Sequence, residues 1–472
     1  MVFSSVTFLN VFLPITCILY FIPNLLKKRL NYKVIGYKNF ILLAVSLIFY
    51  AWGEPRNIIL MLLSIIFNYT VALHFEEYDE GTKQRRVLFI FSLVFNLGLL
   101  GFFKYGSFIA KDILGIFGFH KVFSLPVLPI GISFYTFQIL SYVIDVYRKH
   151  SEPQHDIVNF ALYISMFPQL IAGPIVQYSR IEYELRYRDE SIEGIKDGSY
   201  RFIKGLFKKT VLANSCGAVF EGIISEGVSE LSVVSAWLAI IFYAFQIYYD
   251  FGGYSDMAIG LGRIFGFNFP ENFNHPYIAI SVTDFWRRWH ITLSEWFRDY
   301  VYIPLGGNRC SLAKNIFNLF IVWALTGLWH GASWNFVLWG LYYFALLVTE
   351  KYLLGKIIRK LPAFITRIVT FIFVLFGWVL FAFTDPSDIA GFFGSMLGFN
   401  SFTGANDLYL ITSEASLLII CGVLSTGAIT SFSKKKGVFS ELIEFIIALA
   451  LLAVSVIYLI GDSYNPFLYF RF

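Results

Sequence analysis

The chain has 472 residues, of which 57% are hydrophobic and only 15% charged, where a soluble domain carries roughly a quarter charged residues. With long apolar runs along its whole length, that balance excludes an ordinary soluble domain and reads as a polytopic all-α membrane protein. The net charge of +5 comes from short basic clusters at the ends of apolar segments, where Lys and Arg mark the cytoplasmic side, and no basic face on a soluble module suggests nucleic-acid binding.

In chain order, segments able to cross a bilayer fall near 6–26, 39–53, 56–74, 87–109, 126–147, 205–224, 231–251, 364–384, 414–433 and 441–461, and 316–348 adds one or two more. At ~20 apolar residues per span this is about eleven spans, in a single membrane domain over 1–472. The first is preceded by MVFSS, with no Lys or Arg, and reads as an uncleaved span rather than a secretory leader. The cysteines Cys17, Cys216, Cys310 and Cys421 are scattered, which argues against a disulfide framework or a Cys-based zinc site.

Two stretches break the pattern. Arg148 and Lys149 precede the apolar segment 157–179, while Arg180, Arg186, Arg188, Lys204, Lys208 and Lys209 follow it. With both flanks cytoplasmic, that segment cannot cross. Pro168, Gly173 and Pro174 in FPQLIAGP provide the breaks of a re-entrant hairpin. Backbone groups freed at that depth must be buried in protein or line a wet cavity, and the segment is expected to line an internal cavity; the bland alternative is a kinked ordinary span. At 250–270, Asp250, Asp256 and Arg263 interrupt an apolar background. Intramembrane ionisable residues face a cavity or pair with one another, and an Asp–Arg structural pair is favoured over a chemical role. The glycines of that stretch suit close helix packing.

Residues 281–302 read SVTDFWRRWHITLSEWFRDYVY. Ser281 or Thr283 can cap a helix whose first turn holds Asp284, with Asp284–Arg288 an i,i+4 pair. Trp286, His290, Leu293 and Phe297 then share one face, and tryptophans beside arginines suit an amphipathic helix lying in the membrane interface. A histidine within the aromatic stripe is either a satisfied structural residue or a reactive one. Arg287 and Arg288 default to lipid phosphates, although guanidinium forks would equally suit the phosphates of a nucleotide donor.

The run 316–348 contains no Asp, Glu, Lys or Arg and would be ~50 Å long as one helix, beyond a ~30 Å core. Gly327 and Gly331 bracket His330 in TGLWHGASW, with Ser333 and Asn335 just beyond. Two shorter helices are therefore expected to meet near His330. Burial disfavours imidazolium, and a neutral ring can accept a proton as a general base, the small glycines leaving room for a substrate. The residues alone leave a structural histidine open. His74, His120, His150, His155 and His275 fall at segment ends or in polar loops. No HExxH, GxSxG or GxxxxGK[ST] pattern is present, and no metal site is expected.

With these segments in hand, the chain resembles the membrane-bound O-acyltransferases, and most of all their bacterial branch typified by alginate O-acetyltransferase, which acetylates exported polysaccharides. The resemblance is carried by MVFSS (1–5), PIGISFYTFQ (129–138), PQLIAGP (168–174), DFGGYSDMAIGLGRIFGF (250–267), NFNHPY (272–277), DFWRRWHITLSEWFRDYVYIPLGGNR (284–309), LWHGASWNFVLWG (328–340) and NPFLYFRF (465–472). It implies a ring of helices with broken or re-entrant segments around a central cavity, in the plasma membrane. It also implies His330 as the main catalytic residue and His290 as the second signature position, orienting or relaying a proton.

The implied reaction takes acetyl groups from a cytosolic thioester, acetyl-CoA, and passes them outward. An extracytoplasmic SGNH-type partner then acetylates the polysaccharide. In that reading Arg287 and Arg288 are candidates for donor phosphates, and Trp329, Ser333 and Asn335 line the site, with Asn335 a candidate donor to the oxyanion. The rivals are a D-alanyl transfer protein of teichoic acid modification, an idle scaffold, and a lipid or polysaccharide exporter with a histidine proton relay. Against the exporter stands the lack of an internal repeat.

Overall fold

The computed structural model describes residues 2–26, 32–113, 127–358, 360–428, 438–461 and 468. His120, and NPFLYFRF apart from Leu468, lie outside the described residues. Every regular element described is helical. Ten helices among the described residues are long and apolar enough to cross a membrane: Phe8–Leu25, Lys33–Gly53, Ile58–Glu77, Lys83–Phe108, Val233–Ile264, Leu312–His330, Trp334–Ile358, Ala363–Ala382, Asp407–Ser425 and Phe439–Gly461. The architecture is thus the all-α polytopic one.

Two expected spans differ from a long lipid-facing helix. Helix Ile132–Tyr147 is apolar because it lies inside the protein, with every side chain from Ile132 to Val146 buried. At 16 residues it is ~24 Å long. The stretch 205–224 is the end of a helical run from Ile192 to Ile224, which carries Lys208 and Lys209 through a π-helical turn.

The chain packs as two compact units, Met1–Phe202 with Ser255–Pro270, and Ile203–Tyr254 with Glu271–Phe472. In the first, helices Ile58–His74 and Lys83–Leu100 are tied by amide exchange between Asn68 and Asn96, at 3.0 and 2.7 Å, the polar glue usual between membrane helices. FPQLIAGP breaks as expected. Helix Ile157–Ser165 stops at Met166, and Phe167–Leu170 forms a single further turn. The freed backbone is buried in protein: Phe167 N–H donates to Ser46 Oγ (3.1 Å), and Gln169 Nε2 to the Tyr163 carbonyl (2.7 Å). The Phe167 ring sits among Phe3, Phe8, Phe12, Phe49 and Phe265. Protein packing, rather than a wet cavity, is what surrounds this ring.

The ionisable residues of 250–270 are paired, but not with each other. Asp256 accepts both Nε and Nη2 of Arg201 (3.1 and 2.9 Å), and Arg263 turns to Asn268. In the second unit Asp250 pairs with Lys209 at 2.9 Å, both side chains 3% exposed. Sequence spacing favoured Arg263 as partner, but the cations come from the neighbouring helical run. Gly253 allows that approach, since a Cβ there would stand 2.7 Å from the Gly205 carbonyl oxygen. The thiols of Cys216 and Cys421, 205 positions apart, meet at 3.6 Å.

Candidate active site

All the candidate site residues lie in the second unit. Its core is aromatic: Trp286, Trp289, Trp323, Trp339, Tyr343, Trp378 and Phe381 are buried together.

The region 316–348 breaks where expected. Helix Leu312–His330 ends on the histidine, Gly331 is extended (φ −170°), and helix Trp334–Thr349 begins after Ser333. The glycines do something other than make room for a substrate. A Cβ on Gly327 would lie 2.4 Å from the Phe336 carbonyl oxygen and 3.2 Å from Gly340 Cα, and one on Gly331 would lie 2.2 Å from the Phe336 ring. They let the two helices touch backbone to backbone and fix His330 at the junction. The His330 ring is 2% exposed and packs edge-on against Trp329, Trp339 and Phe381, at centroid distances of 5.1, 4.8 and 5.2 Å.

Segment 281–302 is not one interfacial helix. Ser281 caps helix Val282–Trp286 through Asp284 N–H, and the Glu350 carboxylate accepts from Val282 and Thr283 N–H (2.7 and 3.1 Å). A turn follows, and a second helix, Ile291–Phe297, begins after His290. His290 itself is left-handed (φ 43°, ψ 55°), a conformation that costs a non-glycine residue of order 1–3 kcal/mol and clusters at functional sites. It is held by 272–274: Ile291 N–H donates to the Asn272 carbonyl and Asn274 N–H to the Arg288 carbonyl, each at 2.9 Å. Trp286, Trp289 and Trp296 are buried in protein, so they do not serve as headgroup anchors.

Asn272, outside the site residues expected from the sequence, sets the His290 tautomer. Its Oδ1 faces His290 Nδ1 (3.1 Å), Thr292 N–H (3.3 Å) and Thr292 Oγ1 (2.9 Å). A backbone N–H can only donate, so the Asn272 atom there is the oxygen, and His290 Nδ1 must carry the proton. The lone pair then resides on Nε2, which is buried with no hydrogen-bond partner among the described residues. Burial pushes the His290 imidazole down to about 3, which keeps it neutral. Its ring is 1% exposed and meets Phe251 edge-on at 4.7 Å and Trp329 at 5.7 Å. One indole, Trp329, therefore touches both imidazoles.

Asn335 turns inward, 1% exposed. Its Nδ2 donates to the Leu380 carbonyl (3.1 Å), and its Oδ1 is buried with no partner among the described residues. The open atom is an acceptor, which suits an incoming hydroxyl better than an oxyanion. Ser333 is half-buried at the start of helix Trp334–Thr349. Arg288 pairs with Asp284 as expected (2.9 Å) and reaches the Asn274 carbonyl (3.3 Å). Arg287 is exposed. Among the described residues no three His, Cys, Asp or Glu side chains gather as metal ligands.

The sequence matches the membrane-bound O-acyltransferase (MBOAT) family over residues 56–385. It is 35% identical to the probable alginate O-acetylase AlgI of Azotobacter vinelandii over the full length of both chains. With the peptidoglycan O-acetyltransferase of Helicobacter pylori it shares 34% identity over 88% of this chain and 82% of that one. The teichoic acid D-alanyltransferase of Bacillus subtilis is more distant, 29% identical over 54% of this chain and 68% of the relative.

Proposed function

Since the chain belongs to the membrane-bound O-acyltransferase family, we propose that it is a multi-pass membrane acetyltransferase that moves acetyl groups from acetyl-CoA across the membrane for O-acetylation of a cell-envelope or exported polysaccharide. The observation that carries the reading is the pair of buried imidazoles, His290 and His330, packed on the same indole.

In this reading His330 takes the proton of the acceptor hydroxyl as its oxygen attacks the thioester carbonyl. The C–O bond forms, the C–S bond breaks, and the proton passes to the departing thiolate. Asn335 Oδ1 orients the hydroxyl by accepting from it. His290, its Nδ1–H held by Asn272, offers a neutral Nε2 as a relay. Arg287, exposed, is the better of the two arginines for a donor phosphate, because Arg288 is engaged by Asp284. Transfer to the polymer is assigned to an extracytoplasmic SGNH-type partner. The relatives at 34–39% identity are O-acetylating enzymes by name, while the D-alanyltransferases stand at 29% and 24%, which favours acetyl over D-alanyl transfer.

The test uses membrane vesicles holding the polymer and partner, with acetyl-labelled CoA on the cytosolic face. Label reaching polymer esters is followed for wild type, His330→Ala and His290→Ala at matched protein levels. Loss of label in His330→Ala, with a partial loss in His290→Ala, is the expected result. Undiminished transfer in His330→Ala would return His330 to a structural role and favour a scaffold or exporter.

A further inference from the structure

The first unit holds a second buried polar cluster, none of whose residues takes part in the site above. Glu190 accepts from Tyr20 Oη (2.6 Å), from Asn24 Nδ2 (3.5 Å) and from Lys38 Nζ, whose side chain is fully buried. Lys38 also donates to Asn24 Oδ1 (2.7 Å). The one carboxylate is thus fully engaged by the lysine and its neighbours. Beside it lies Arg188, 6% exposed. Its Nη2 donates to the neutral oxygen of Asn39, an amide fixed by its own donations to Asn159 Oδ1 (2.6 Å) and the Leu185 carbonyl (2.8 Å). Its guanidinium stacks on Phe267 at 4.7 Å and approaches Tyr20 at 5.7 Å. Nε and Nη1 are buried with no hydrogen-bond partner among the described residues.

A buried guanidinium without a carboxylate is costly. Here two cations share one carboxylate, so the cluster carries one uncompensated positive charge. Nε–H and Nη1–H lie on opposite sides of Nη2, and one of them makes a planar fork with the Nη2 hydrogen that Asn39 does not take. That fork fits two oxygens of a tetrahedral oxyanion. Space for the arginine stem is provided by Gly266 (φ +81°), where a Cβ would lie 3.4 Å from Arg188 Cβ and Cδ. Tyr20 and Lys38 flank the connection bearing Lys27, Lys28 and Arg29, which the positive-inside rule places in the cytoplasm.

We propose that Arg188, supported by Asn39 and Lys38, is a binding site for a phosphoryl group at the cytoplasmic end of these helices. Two sources share that chemistry, an anionic lipid headgroup and a soluble phosphorylated compound. The site rests on its own groups and does not depend on the acetyl-transfer reading.

The full chain is purified in dodecyl maltoside, which carries no phosphate, and its thermal unfolding is followed with phosphatidylglycerol in mixed micelles or with glycerol 3-phosphate in solution. Wild type is expected to gain stability from at least one of these, and the responding probe identifies the source. Arg188→Lys keeps the charge and the reach to Asn39 but lacks the fork. Since a charge-assisted hydrogen bond is worth roughly 1.5–3 kcal/mol, it should need at least about tenfold more of the probe, and Arg188→Gln should not respond. If Arg188→Gln does not fold, Arg188→Lys carries the comparison. A wild type indifferent to both probes, or variants that respond as wild type does, would overturn the proposal. Transfer of label by the histidine variants is read separately, so neither result stands in for the other.

Discussion

At the residue scale, His290 has the more constrained chemistry of the two imidazoles. It lies outside the candidate spans, and burial lowers it from the ordinary 6.5 to about 3. Between those values the unfolded chain binds a proton that the folded chain does not. Its contribution is therefore complete above pH 6.5 and is lost as pH falls toward 3. At pH 5 that loss is about 2 kcal/mol. Melting temperature measured from pH 7 to pH 5 should drop accordingly, and His290→Gln should flatten the slope; an unchanged slope would place the proton elsewhere. Asn272→Ala removes the oxygen that accepts from His290 Nδ1–H and from Thr292, costing about 1–3 kcal/mol for the orphaned imidazole N–H, and frees the tautomer. Transfer should fall in this variant even at a temperature where it remains folded, measured by label transfer alongside melting. His330 was legible in the sequence because it interrupts a charge-free run. Asn272 was not, because an asparagine in a polar loop 18 positions upstream of His290 has no local signature of the carbonyl it presents.

At the element scale, the two breaks in the second unit differ in what announces them. Between His330 and Trp334 the chain leaves the helix at a glycine and a serine, residues that commonly end and begin helices. At His290 no such residue occurs, and the apolar spacing over 286–297 fits one continuous helix. Pairing with Asn272–Asn274 overrides that local preference. A left-handed non-glycine residue is a tertiary decision that a periodicity pattern cannot carry. The glycines around His330 show the converse error, being visible in sequence but read for the wrong use. If they serve backbone contact, Gly327→Ala should force helices Leu312–His330 and Trp334–Thr349 apart, costing ~1–3 kcal/mol and displacing His330 three residues on. Gly422, mid-helix with nothing within 4 Å of a Cβ, is the control, and Gly422→Ala should be neutral or stabilising by up to about 1 kcal/mol. Melting and label transfer of the pair decide it: equal behaviour would sink the packing role.

At the scale of the whole molecule, composition revealed the polytopic class, because ~20-residue apolar runs have few other uses. It did not separate lipid-facing helices from internal ones. Ile132–Tyr147 is as apolar as a span, yet protein surrounds it; hydropathy reports the absence of water, not what replaces it. The charge pattern carries the complementary information. Helix Ile157–Ser165 has nine residues, ~14 Å at 1.5 Å each, under half of a ~30 Å core. The chain between Lys149 and Tyr183 should therefore begin and end on the same side. In a background with Cys17 and Cys310 replaced by serine, Lys149→Cys and Tyr183→Cys, both at exposed positions, should react with an impermeant maleimide only from the cytoplasmic face. Pro55→Cys, one span beyond the basic residues 27–29, should react only from outside. Labelling of 149 and 183 from opposite faces would make the intervening segment a crossing. It would also reverse the side of every later segment, including the one that ends at His330, and the donor would then have to arrive from outside.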